Sequence, residues 1–159
     1  MTKKIFILSL VFLFAFSSVS FAQKAAKSQK RTVIKSKYAK KRLLGRHFFS
    51  LQWISWKYLG RAYVRQRRGV LYIKGTQKSR KGSDFVKIDG VITRVNRYSF
   101  VFDGKITTQV SHNNDGKPCV REGEMVFAIQ GKRKYWRLED KQSPCGIEVD
   151  YVDIYFRKR

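Results

Sequence analysis

The sequence predicts an antiparallel all-β domain, either a small barrel or a sandwich, on three observations. From His47 onward apolar residues return at every second position, as a strand with one buried face requires. Turn residues punctuate that pattern about every 8–12 residues, the spacing of short strands joined by tight connections. Only two prolines interrupt the chain, and no stretch after residue 46 keeps a helical period. Together these give roughly nine or ten short strands in one domain.

The chain opens differently. Residues 1–4 are short and basic, residues 5–16 form an apolar run broken only by Ser9, and Ser20-Phe21-Ala22 offers small residues at a cleavage spacing. A bilayer core of about 30 Å needs roughly 20 apolar residues, so this run is too short to span. Residues 1–22 therefore read as a cleaved secretory signal, with an uncleaved anchor as the rival, and the mature protein as exported, periplasmic or secreted. Residues 23–46 follow with ten Lys and Arg and no acid. Their apolar residues scatter around a helix axis without forming a stripe, so the segment reads as a disordered basic arm. Gly45 ends any local helix, and the β domain is placed at residues 47–159.

Within the domain, Phe49, Leu51 and Trp53 alternate with residues facing the other way. Residues 61–67 and 70–74 are strand-like and join at Arg68-Gly69, which reads as a tight hairpin. Residues 85–89 and 91–95 flank Gly90, and residues 98–102 and 105–110 flank Asp103-Gly104, which also reads as a hairpin turn. Residues 125–129 and 134–138 flank Gly131. In the last run Val152, Ile154 and Phe156 share one face, with Tyr151, Asp153 and Tyr155 on the other. The strands lack the outward apolar band of an outer-membrane barrel.

Charge is distributed unevenly. The first 83 residues carry 21 Lys and Arg and no acid, whereas residues 84–159 carry 14 bases and all 11 acids. Such a field calls for a polyanionic partner. Strand alternation puts Arg61, Tyr63, Arg65 and Arg67 on one face, and hairpin pairing would add Tyr72 and Lys74, with Arg80 and Lys81 in the following loop. Guanidinium forks match phosphate, sulfate or carboxylate, and tyrosine stacks on rings or sits at a lipid interface. A solvated outer face would show the same residues. Export favours lipopolysaccharide, anionic lipid, acidic polysaccharide or extracellular DNA as the polyanion, with peripheral membrane contact. All would bind with steep salt dependence.

Other chemistries find little support. Ser111 to Glu122 has oxygen donors at some calcium-loop positions, but Ser111 replaces the first aspartate and Lys117-Pro118 sits inside the loop. A polar turn explains the same residues. His47 and His112 could serve a secreted nuclease as base and acid if they converged. Asp150 and Asp153 fall on opposite faces of one strand, and no nucleophile elbow or phosphate loop is present. No catalytic residue, metal or cofactor is expected, and the protein reads as a non-catalytic binder. The alternative is a small barrel holding a ligand in an aromatic-lined pocket.

Cys119 and Cys145 are the only cysteines. In an exported protein they favour a disulfide over two thiols or half a metal site. The ordered string Cys119-Val120-Arg121-Glu122-Gly123, Tyr135-Trp136-Arg137-Leu138, Pro144-Cys145 and Asp150-Tyr151-Val152-Asp153-Ile154-Tyr155-Phe156 resembles small exported bacterial proteins of unknown function. That resemblance spans residues 50–156, implies a shared fold and a shared disulfide, and transfers no activity. Trp136 and Tyr135, on alternate faces, read as core and rim aromatics.

Overall fold

The computed structural model describes residues 31–156. Residues 1–30, on which the expected signal and the first part of the expected arm fall, and residues 157–159 lie outside the described residues.

Eight strands run up and down in chain order: β2 (Gly45–Leu51), β3 (Gly60–Arg67), β4 (Val70–Lys78), β5 (Phe85–Val95), β6 (Ser99–Gln109), β7 (Cys119–Ala128), β8 (Tyr135–Leu138) and β9 (Val152–Tyr155). Each pairs antiparallel with its neighbour. β2 then pairs with β9 through Phe49–Ile154, Ser50–Asp153 and Leu51–Val152, closing an eight-stranded barrel. A short strand, β1 (Val33–Ile34), runs parallel to β5 opposite Arg94 and Val95, just beyond the point where β4 stops pairing. Closure satisfies the backbone groups that an open sheet leaves bare at its edges. The small barrel anticipated from periodicity is therefore the architecture, and the sandwich is not.

The interior is side chain throughout. Phe49, Phe100, Phe102, Phe127 and Trp136 are fully buried, with Leu51, Leu71, Ile73, Ile88, Ile92 and Ile106 between them. Phe100 stacks on Phe127 with centroids 5.1 Å apart, and Trp136 meets Phe100 edge-on at 5.9 Å. These residues alternate with outward polar ones, as a barrel with a packed centre requires. Aromatic side chains fill the space that a ligand would have lined.

The basic segment does not run as expected. Within residues 31–46 the chain forms β1, the helix α1 (Lys37–Leu43) and the start of β2. Ser36 caps the helix by accepting a hydrogen bond from the Ala39 amide, and Ala39 and Leu43 are buried in the core. Two apolar residues four apart suffice to dock a seven-residue helix, although they are too few to read as a stripe. The folded domain thus reaches back to residue 31, and residues 23–30 lie outside the described residues.

Two anticipated turns are strand interior. β5 and β6 each run unbroken for 11 residues through Gly90 and Asp103-Gly104. Gly90, Gly104 and Gly123 lie side by side on three adjacent strands. A methyl group on Gly90 would fall 2.5 Å from the Asp103 carbonyl, and one on Gly104 would fall 2.4 Å from the Asp89 carbonyl. The Phe102 ring covers both sites at 2.7 Å. Glycine here permits close backbone approach and bending of the barrel wall. The Arg68-Gly69 hairpin is as read, with φ of 50° and 83°, the doubly left-handed geometry that suits strand twist.

The barrel has two distinct ends. At one, Thr32 N–H donates to Gly69, Lys35 N–H to Val95, Ile129 N–H to Tyr98 and Phe156 N–H to Lys134. These bonds join β1, the β3–β4 turn, the β5–β6 turn, the β7–β8 turn and the end of β9. At the other, Gln77 bridges to Ser55 and Tyr58, Asp84 accepts from Ser111, and Trp53 donates to Asp150.

Candidate polyanion-binding face

The outer wall formed by β2, β3 and β4 carries most of the basic residues singled out in the sequence. Register places Arg46 beside Tyr63 and Tyr63 beside Lys74, Phe48 beside Arg61, and Arg65 beside Tyr72. All six residues selected on β3 and β4 point outward and are exposed, while Ala62, Val64, Leu71 and Ile73 pack inside. With strand residues rising about 3.3 Å each, Arg61 to Arg67 form a stripe roughly 20 Å long.

Aromatic rings hold the stripe in place. The Arg61 guanidinium lies 3.9 Å over the Phe48 ring, and that of Arg65 lies 5.9 Å from the Tyr63 ring. A stacked guanidinium keeps its edge donors available to an anion. Lys74 differs, because its ammonium sits 3.0 Å from Asp89 on β5. That exposed pair is worth at most about 1 kcal/mol, yet it sets a negative charge beside the Lys74 ammonium. Arg80 and Lys81 occupy the β4–β5 connection at the opposite end from Arg67. Arg80 stacks 3.6 Å over Tyr58 there, so the eight selected residues form a stripe and a separate outpost.

The two histidines do not converge. His47, 2% exposed, hydrogen-bonds through Nδ1 to the Tyr155 carbonyl oxygen at 2.8 Å and through Nε2 to that of Leu43 at 2.6 Å. It ties α1 to the end of β9. His112 lies in the β6–β7 connection at the other end, edge-on to Trp53 at 5.8 Å. A base–acid pair made of these two is ruled out by the length of the barrel between them.

The C-terminal wording proves to be architecture. Cys119 and Cys145 are bonded. Arg121, two residues after Cys119 and so on the same side of β7, donates to Asp140 at 3.0 Å and to the Gln142 carbonyl at 2.6 Å, and lies 3.9 Å from Asp150. Sulfur and guanidinium grip one connection, β8–β9, at two points. Burial pushes the Asp150 carboxyl upward, opposed by the Trp53 indole N–H and by Arg121.

Arg137 and Asp153 both stand in the C-terminal string, but nothing in the sequence pairs them. They face outward on β8 and β9, opposite one another, yet are 7% and 0% exposed. The guanidinium donates bidentately to the carboxylate at 2.7 and 2.6 Å, and lies 4.2 Å from the Tyr151 ring and 5.1 Å from that of Tyr135. Hydrogen bonding to Asp153 drives the Arg137 guanidinium further upward, against the desolvation that would lower it. Burial raises the Tyr155 hydroxyl, against a hydrogen bond donated by Ser50. Both carboxylate oxygens of Asp153 accept from the guanidinium, and no buried side-chain polar atom among the described residues lacks a partner, which marks the cluster as a structural brace.

Fold and site together define a closed, disulfide-bonded β barrel with a packed centre and a basic outer wall. Residues 31–156 match the PM1083 family, and the chain belongs to it. It is 42% identical over 131 residues to the Pasteurella multocida (strain Pm70) protein named "Uncharacterized protein PM1083", covering 82% of this chain and 84% of that one. No solved structure matches.

Proposed function

We propose that this is an exported, non-catalytic barrel that binds polyanionic envelope or extracellular material through its basic arm and the outer face of β3 and β4. The carrying observation is the exposed row of Arg61, Tyr63 and Arg65, with guanidinium groups supported by rings and continued onto β2 by Arg46. Acceptable ligands share phosphate, sulfate or carboxylate groups in series: lipopolysaccharide, anionic lipid, acidic polysaccharide or extracellular DNA. The driving force is release of counterions from the polyanion. Residues 1–22 direct export, and maturation leaves Gln23 at the amino terminus. Intact-mass measurement of the protein recovered from its native compartment tests that assignment.

The binding test is a salt titration of residues 23–159 against lipopolysaccharide, anionic vesicles and DNA. The triple substitution R61E/R65E/R67E should weaken binding and flatten the salt slope. Unchanged affinity would remove the stripe as the contact.

A further inference from the structure

The halves of the chain differ in charge, but the ends of the barrel differ more. One end is built from residues 31–44, the Arg68-Gly69 turn with its flanks at 67–70, the β5–β6 turn at 95–99 and the β7–β8 turn at 128–135. These hold twelve Lys and Arg and no Asp or Glu. Ten of the twelve are exposed, and the remaining two are half-buried. The other end consists of connections 52–59, 79–84, 110–118 and 139–151, which hold five bases and six acids. The two rims therefore differ by thirteen formal charges, and the field points along the barrel axis.

Two large aromatics stand among the bases of the acid-free rim. Tyr38 on α1 is 59% exposed and Tyr98 in the β5–β6 turn is 60% exposed. The Arg42 guanidinium lies 4.7 Å from the Tyr38 ring, and that of Arg97 lies 5.3 Å from the Tyr98 ring. Tyrosine beside arginine suits the headgroup layer of a bilayer, where one part of each side chain is apolar and the other wet.

Resting on the polyanion reading above, we propose that this rim is a membrane-docking surface that seats the barrel end-on against an anionic phospholipid bilayer. The bases come from four separate segments around a closed ring. They present a disc of cations, which matches a plane of phosphates better than the single line of a nucleic-acid backbone. The chain also enters the domain here: Thr32 N–H bonds to Gly69 of the rim. Upstream come Lys24, Lys27 and Lys30, so the remaining bases of the arm join the domain at this rim. Anionic bilayers attract each nearby Lys or Arg by about 1 kcal/mol, or roughly fivefold in affinity.

The test compares three charge-reversed sets in residues 23–159, by sedimentation with vesicles of 30% phosphatidylglycerol in phosphatidylcholine at about 50 mM salt. R97E/K132E/R133E alters the rim, R61E/R65E the outer stripe, and R80E/K81E the opposite end. The rim set should lose at least about 100-fold in vesicle affinity, the stripe set roughly tenfold because it lies on the wall and not in the contact plane, and the opposite-end set no more than a few-fold. Y38A/Y98A should weaken the binding that persists in high salt. If the stripe set loses binding and the rim set keeps it, end-on docking is overturned and the polyanion reading stands. Equal losses in all three sets overturn docking in favour of diffuse attraction. Binding to duplex DNA without binding to vesicles overturns the lipid assignment alone. Binding to neither, nor to lipopolysaccharide, overturns both.

Discussion

Asp153 is fully buried on the outside of the barrel wall, covered by the arginine it binds and the tyrosines around it. Removing one member of such a pair strands the other without solvent. D153A should therefore cost roughly 3–5 kcal/mol of stability, measured by urea unfolding. A double replacement by apolar residues should recover most of that loss, because neither charge then remains buried. Asp150 behaves in the opposite sense. Its carboxyl is raised, so the folded state holds the proton more tightly than the unfolded chain does. Stability from this group is full below the ordinary carboxylate range near pH 4 and declines as pH rises through the higher folded value. D150N keeps an acceptor for Trp53 and removes the charge. Its melting temperature should match the wild type near pH 3.5 and exceed it at pH 7; equal melting at both would mean that the charge is fully compensated by Arg121.

At the level of elements, the β8–β9 connection shows why a motif can be distinctive without being a site. It is held by the Cys119–Cys145 bond across 26 residues and by Arg121 from the same strand. C119S/C145S should cost about 3–4 kcal/mol by the loop-closure relation, and R121A should loosen the same connection with the disulfide intact. Hydrogen exchange confined to residues 139–151 would report the second effect. At α1, S36A should cost about 1 kcal/mol through loss of the cap. The strands after residue 46 were legible because their buried faces recur every second residue. Their lengths were less so: Gly90 and Asp103-Gly104 have the chemistry of turns but serve as narrow points in a bending wall. Whether glycine turns the chain or lets two strands approach is decided by what lies across from it, here Phe102 and another glycine. α1 is illegible in the sequence for a related reason. Its helix rests on a cap and two buried residues, a signal too brief to emerge from a basic background.

Across the whole molecule, arrangement in space reorganises what composition shows in one dimension. The acid-free first half pointed to a basic arm and hairpin, and both place bases on the acid-free rim. Yet Arg97, Lys132, Arg133 and Lys134 from the half that holds the acids join Arg31 and Arg68 on one rim, which only closure of the barrel brings about. Arg80 and Lys81 leave that group by the same closure. The disulfide, the core–rim alternation of Trp136 and Tyr135, and the solvent-facing Arg61–Arg67 row could be read from sequence because each is local or pairwise. The charged axis could not, since it depends on which connections share an end.

The seam between β2 and β9 has a consequence for how the protein is made. Phe49, Ser50 and Leu51 find their partners at Ile154, Asp153 and Val152, about 100 residues downstream. β2 therefore waits with one edge unmatched until nearly the whole domain has been synthesised. Assembly of the barrel is timed by arrival of the final strand. Stalled intermediates lacking β9 should remain sensitive to protease, and supplying residues 150–156 should restore resistance in one step.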